Sequence, residues 1–138
     1  MSGYDEAQIP EILKNYRNVA VVGLSDKSDR DSYRVAKYLM AHGYRIIPVN
    51  PAIESWERIK SYPAVSSIPP DVNVEIVDVF RKPEAAFDIV RDSLSRSPKV
   101  LWLQEGVVNS DAADLAKENG IKVVMDRCMM KEHNRLKN

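Results

Sequence analysis

The chain has 138 residues, 44% of them apolar and 29% charged, which is the size and composition of one domain around one core. Lysine plus arginine number 20 and aspartate plus glutamate number 20, so the formal net charge is zero and a basic domain that grips nucleic acid through its phosphates is not expected. No apolar run approaches the roughly 20 residues of a membrane span, and the opening MSGYDEAQ has neither the basic nor the apolar part of a secretory signal.

In chain order, a leading helix is predicted around residues 9–16, presenting Ile9, Ile12, Leu13 and Tyr16. Five short apolar runs follow, at residues 19–22, 46–49, 74–80, 100–103 and 121–125. They are rich in valine and isoleucine with little polar alternation, as in strands buried on both faces. Helical patterns lie between them. Val35, Tyr38 and Leu39 share one face ahead of a stop at Gly43. Pro83 suits the first turn of a helix carrying Phe87, Val90 and Leu94. Asn109 or Ser110 can cap a helix with Ala112, Leu115 and Ala116 that ends at Gly120. A short C-terminal helix is predicted over residues 131–136. Residues 51–73 contain Pro63, Pro69 and Pro70, which excludes a long helix and leaves a loop with one helical turn or a short strand.

Strands alternating with helices through short loops imply right-handed crossovers and a parallel sheet. The fold class expected is α/β, a Rossmann-like doubly wound parallel sheet of about five strands in the order 3-2-1-4-5. One domain is expected over 1–138, with its core in 17–136.

In such a sheet, ligands bind at the carboxyl ends of the strands. The first strand end reads GLSDKSDRDSY, running into a helix. Gly23 allows a tight turn, and a helix beginning near Ser32 aims free N–H groups at an anion. Ser25, Ser28 and Ser32 add hydroxyls, and Lys27, Arg30 and Arg34 add charge. Asp26, Asp29 and Asp31 balance that charge, so an anion here depends on local geometry rather than on a positive field. The loop is not GxGxxG, and the second strand ends IIPVNP without an acidic residue for a ribose 2′-hydroxyl, which argues against NAD. Another phosphate-bearing nucleotide fits better.

Asp78, inside the third apolar run, lacks the first-strand carboxylates that a magnesium-dependent phosphoacceptor needs, and reads as a buried residue that hydrogen-bonds a neighbouring turn. Cys128 is the single cysteine, so it forms no internal disulfide and, alone, no thiolate zinc site. Past the fifth strand it could meet a thiol-bearing ligand, or simply pack as a small apolar residue. Trp102 reads as core. His42 and His133 add little ligand capacity, and no metal site is expected. No nucleophile–base–orienter set is legible from spacing.

The run VAVVGLSDKSDRDSYRVAKYLMAHGYRIIPVNP resembles the small stand-alone CoA-binding domain proteins of bacteria and archaea. VDVFRKPE, LWLQEGVVN and VVMDRCMMKEHNRL follow in the same order. The family is similar to the N-terminal CoA-binding domain of the succinyl-CoA synthetase alpha subunit. The resemblance implies a cytoplasmic module that binds coenzyme A or an acyl-CoA. The loop of Gly23, Leu24, Ser25, Arg30, Ser32 and Tyr33 would hold the diphosphate, and Val49, Asn50 and Pro51 would lie by the adenosine. Val79, Phe80 and Arg81 would flank the nucleotide or the start of the pantetheine arm. Gln104 and Glu105 would lie along the arm, with Cys128 near its thiol. Family members often carry a proline where this chain has Asp31, and the stretch 52–62 lacks the family's glycine. The synthetase's catalytic phosphohistidine belongs to a separate domain, so binding without catalysis is the expectation. An NADP-dependent reductase or an acyl-CoA-handling enzyme on the same scaffold is the alternative. The partner expected is a small-molecule nucleotide, with no nucleic acid and no membrane, and a homodimer is left open.

Overall fold

Five parallel strands are built from the five apolar runs: β1 (Asn18–Val22), β2 (Arg45–Val49), β5 (Ile76–Val79), β6 (Val100–Leu103) and β7 (Lys122–Val124). The computed structural model describes residues 4–137; residues 1–3 and 138, the ends of the expected domain, lie outside the described residues. Two two-residue strands, β3 (Ser55–Trp56) and β4 (Ile59–Lys60), form a small antiparallel hairpin between β2 and β5. The helices are α1 (Ile9–Asn15), α2 (Asp31–Ala41), α3 (Ala86–Ser93), α4 (Ser110–Glu118) and α5 (Met129–Leu136). The protein is an α/β Rossmann-like single domain, and no helix among the described residues is long and apolar enough to cross a membrane.

Strand alternation sorts the core into two layers. Ala20, Val22, Ile47, Val49, Val77, Val79, Leu101 and Leu103 pack on α3 and α4 through Ala86, Val90, Ala112, Ala113 and Ala116. Val19, Val21, Ile46, Ile76, Val100, Trp102 and Val124 pack on α1, α2 and α5 through Ile12, Leu13, Val35, Leu39 and Met129. The strands are therefore apolar on both faces, Asp78 of β5 excepted, which is why the runs show little polar alternation.

The order across the sheet is β2-β1-β5-β6-β7. In terms of the five apolar runs this is 2-1-3-4-5, where 3-2-1-4-5 was expected. The third run crosses to the far side of β1. The place beside β2 that a third strand would fill holds only one parallel bridge, Val49 with Tyr62. The prolines explain this: Pro63, Pro69 and Pro70 cannot donate to a ladder, so the segment touches the sheet edge and leaves it.

The element ends follow local chemistry. The side chain of Asn109 accepts from the Ala112 N–H at 2.9 Å and starts α4. Pro83 opens a 3-10 turn, Pro83–Ala85, that leads into α3. α5 begins at Met129, two residues before the expected 131, because Gln104 supplies a partner for its first turn.

Candidate functional site

The switch point of the sheet lies between β1 and β5, and the chain leaving β1 there turns at Gly23. Its N–H donates to the Val49 carbonyl at 2.8 Å and its φ is +88°. A Cβ at this position would overlap the Phe80 carbonyl oxygen and come within 2.8 Å of the Arg81 Cδ. Glycine is required here both for its conformation and for the approach of the β5 end.

Beyond Gly23 the loop is held by its own serines. The Ser25 N–H donates to the Ser32 Oγ at 3.0 Å, and the Lys27 N–H donates to the Ser25 Oγ at 3.1 Å. Arg30 precedes α2 in extended conformation and makes no side-chain cap, so the first-turn N–H groups of α2 receive no capping oxygen from it. The result is a polar hollow of about 280 Å³ lined by Gly23, Ser25, Lys27, Arg30, Asp31, Ser32 and Phe80. Asp31 is paired with Arg34, whereas no ion pair among the described residues engages Lys27 or Arg30. Asp26 and Asp29 keep the loop as a whole balanced but do not line the hollow, so the two cations that do line it face no unpaired acid there. With the α2 N-terminus they make a concavity whose chemistry suits an anion.

A second hollow of about 210 Å³ opens on the other side of Gly23, with apolar walls of Val22, Val49, Pro51, Pro63, Val65 and Ile89. Arg81, Asp88 and Asp92 supply its polar edge. Asp88 is paired with Arg91 at 2.9 Å, and Asp92 accepts from the Ser66 N–H at 3.1 Å and from its hydroxyl. A flat, largely apolar slot beside an anion-binding loop suits a base joined to phosphates. A larger hollow between α3 and α4, about 400 Å³, is lined by Asp111, Asp114 and Glu118. Its three carboxylates make it wrong in sign for a phosphorylated ligand.

Of the residues expected at the site, Gly23, Ser25, Arg30, Ser32 and Phe80 line the polar hollow, and Val49, Pro51 and Arg81 line the apolar one. The others have different surroundings. Leu24 and Val79 are fully buried in the core. Asn50 ties the loops together, donating from Nδ2 to the Leu24 carbonyl at 3.0 Å and accepting from the Ala52 N–H at 2.9 Å. The Tyr33 hydroxyl donates to Glu57 on the hairpin, which raises the phenol's pKa and, with Lys37, lowers that of Glu57. Gln104 is buried, and its Oε1 accepts from the Met129 N–H at 3.1 Å. Glu105 pairs with Lys131 at 3.0 Å and raises its pKa. Cys128 is 5% exposed and packs in the cluster that includes Trp102 and Met129.

Several lining residues escaped the sequence reading: Pro63, Ala64, Val65, Ile89, Asp88 and Asp92. The proline-rich interval returns to the strand ends because the Asn50 N–H donates to the Tyr62 carbonyl at 2.9 Å and the Tyr62 N–H to the Pro48 carbonyl at 3.0 Å. The prolines were the available signal for a segment that covers the site rather than joining the sheet.

A model of the CoA binding domain matches residues 17–134. The chain is 39% identical over 133 residues to the uncharacterized protein YneT of Bacillus subtilis (strain 168), covering 96% of this chain and 97% of that one. A hypothetical protein from Pyrococcus horikoshii OT3 superposes with a TM-score of 0.92 at 41% identity, over 99% of this chain and 94% of its own. A dinucleotide-forming acetyl-coenzyme A synthetase 1 from Ca. Korarchaeum cryptofilum, in complex with phosphate and ADP, shares the fold at a TM-score of 0.71 and 21% identity. That likeness spans 84% of this chain and 27% of the synthetase. With the match running through both hollows, the chain belongs to the CoA binding domain family.

Proposed function

We propose that the protein is a cytoplasmic binding module for coenzyme A or an acyl-CoA, held in the two hollows that meet at Gly23. The adenine occupies the slot of Val22, Val49, Pro51 and Ile89. The diphosphate lies on the loop of Ser25, Lys27, Arg30 and Ser32 at the start of α2. The pantetheine arm leaves past Phe80 toward the segment of Gln104 and Glu105. The observation that carries this reading is the adjacency of an apolar slot and a loop whose cations are not engaged by acids.

Binding rather than catalysis is the function we infer. The hydroxyls of Ser25 and Ser32 are acceptors of loop N–H groups, and neither histidine lines either hollow. His42 lies just past the far end of α2, stacked on Tyr38. The position where an NAD site places an acidic residue holds Asn50, whose amide is already engaged.

The test is a thermal-shift panel on ligand-stripped protein with CoA, acetyl-CoA, dephospho-CoA, NAD and NADPH. A ligand at a hundred times its dissociation constant adds about 2.7 kcal/mol to stability. A shift with CoA or acetyl-CoA supports the reading. A shift with NADPH alone replaces it with a reductase.

A further inference from the structure

Coenzyme A carries its negative charge in two places, a diphosphate on the ribose 5′ side and a monophosphate on the 3′ oxygen. The two hollows divide the site's cations in the same way. Lys27 and Arg30 line the polar hollow, while Arg81 is the cation of the apolar one. Arg81 also sits at the seam between them, because its Cδ passes over Gly23 at the position a Cβ would claim. No ion pair among the described residues engages its guanidinium, although Asp88 and Asp92 line the same hollow; those carboxylates are held by Arg91 and Ser66.

A base in the slot and a diphosphate on the loop would carry the ribose across this seam, within reach of Arg81. From this we infer that Arg81 reads the 3′-phosphate, and so makes the site selective for 3′-phosphorylated adenine nucleotides over dephospho-CoA and ADP. The inference rests on the CoA reading above and adds the residue that recognises the third phosphate. A guanidinium fork matches a phosphate with two parallel charge-assisted hydrogen bonds. Asp92 sharpens the dependence. Once Arg81 is gone, Asp92 is the lining charge with no cationic partner, and it opposes a 3′-phosphate while leaving a free 3′-hydroxyl unaffected.

Calorimetric titration of CoA and of dephospho-CoA into the wild type and the R81Q variant tests this. Arg81 is exposed, so the variant should fold with an unchanged melting temperature. The wild type should bind CoA at least about tenfold more tightly than dephospho-CoA. In R81Q that ratio should fall to about one or below, with dephospho-CoA affinity within about twofold of wild type. An equal loss for both ligands would place Arg81 on the diphosphate and overturn the assignment, as would a wild type that does not discriminate. A wild type that binds neither ligand would instead remove the CoA reading itself.

Discussion

The Gln104 Oε1 accepts the Met129 N–H at 3.1 Å, joining the end of β6 to the first turn of α5 with both residues buried. This bond gives a polar core side chain a structural task at the site's margin. It holds the helix whose preceding residue is Cys128 and whose first residue, Met129, packs against the sheet. Replacing Gln104 by Ala leaves a buried donor without a partner, which costs about 1–3 kcal/mol. We expect Gln104→Ala to lower stability in urea denaturation by that amount and to speed reaction of Cys128 with a thiol reagent. An unchanged thiol rate would show that α5 does not depend on this bond.

Gly23→Ala should be among the most damaging single-methyl additions to this chain. The new methyl meets the Phe80 carbonyl, which is fixed by the Phe80 N–H donating to the Val22 carbonyl at 2.8 Å. Positive φ adds backbone strain of about 1 kcal/mol to the overlap. The variant should lose CoA binding and unfold at visibly lower denaturant concentration. Gly43→Ala is a suitable control, since its Cβ meets nothing within 4 Å and only the strain at φ +92° remains.

The β3–β4 hairpin turns through Glu57 and Arg58 at φ +50° and +67°. Two-residue hairpin turns with both φ positive favour Asn-Gly over such residues. Glu57 has compensation, accepting from Tyr33 and from the Lys37 ammonium at 3.1 Å. Arg58 has only its charge beside Glu57 and no hydrogen bond or ion pair among the described residues, so Arg58→Gly should stabilise the protein by roughly 0.5–1 kcal/mol, measured by urea denaturation. A destabilised variant would mean that the Arg58 side chain is engaged in solution.

Asp78, which is buried, and His133, which is half-buried, make stability depend on pH in opposite directions. Asp78 lies in β5 between Val21 and Trp102, with no partner for either carboxylate oxygen, and burial holds its pKa well above the ordinary value. From about pH 4 upward the unfolded chain gives up this proton while the folded chain keeps it, so stability falls as pH rises toward the folded pKa. Asp78→Asn should remove that loss and raise the melting temperature more at about pH 8 than at about pH 5.

His133 works the other way. It packs with Tyr38, His42 and Tyr44, its Nδ1 lies 2.9 Å from the Tyr38 hydroxyl, and its pKa is lowered by burial and then by His42, Lys137 and Arg17. As pH falls through about 6.5 the unfolded chain takes up the proton first, so stability is lost on the acid side. His133→Gln should flatten that limb of a melting-temperature profile. A limb that is unchanged would place the acid sensitivity elsewhere.

Much of this architecture was legible because double burial leaves a simple mark. β1, β2, β5, β6 and β7 each fall within or overlap an apolar run, and the α2, α3 and α4 patterns stood between them. The lateral order was not legible, since an apolar run does not record which side of β1 it joins. At the site, Gly23 and the serines were readable because a turn and an anion loop need particular residue types. Gln104, Asn50 and Tyr33 show the limit of that reasoning. A polar residue at a strand end looks the same in sequence whether it faces a ligand or binds a neighbouring loop. Asp78 shows the converse: a hydrogen bond to a neighbouring turn was expected, but β5 holds the carboxyl between Val21 and Trp102 with no partner.

The central claim is that a CoA diphosphate rests on the loop between Gly23 and α2, and calorimetric titration of CoA into wild type and Arg30→Ala tests it most directly. Arg30 is exposed and unpaired among the described residues, so its removal should leave the melting temperature unchanged. We expect one CoA per chain in the wild type and an affinity roughly ten- to a hundredfold weaker in the variant. Equal affinities, or no binding heat in the wild type, would contradict the account.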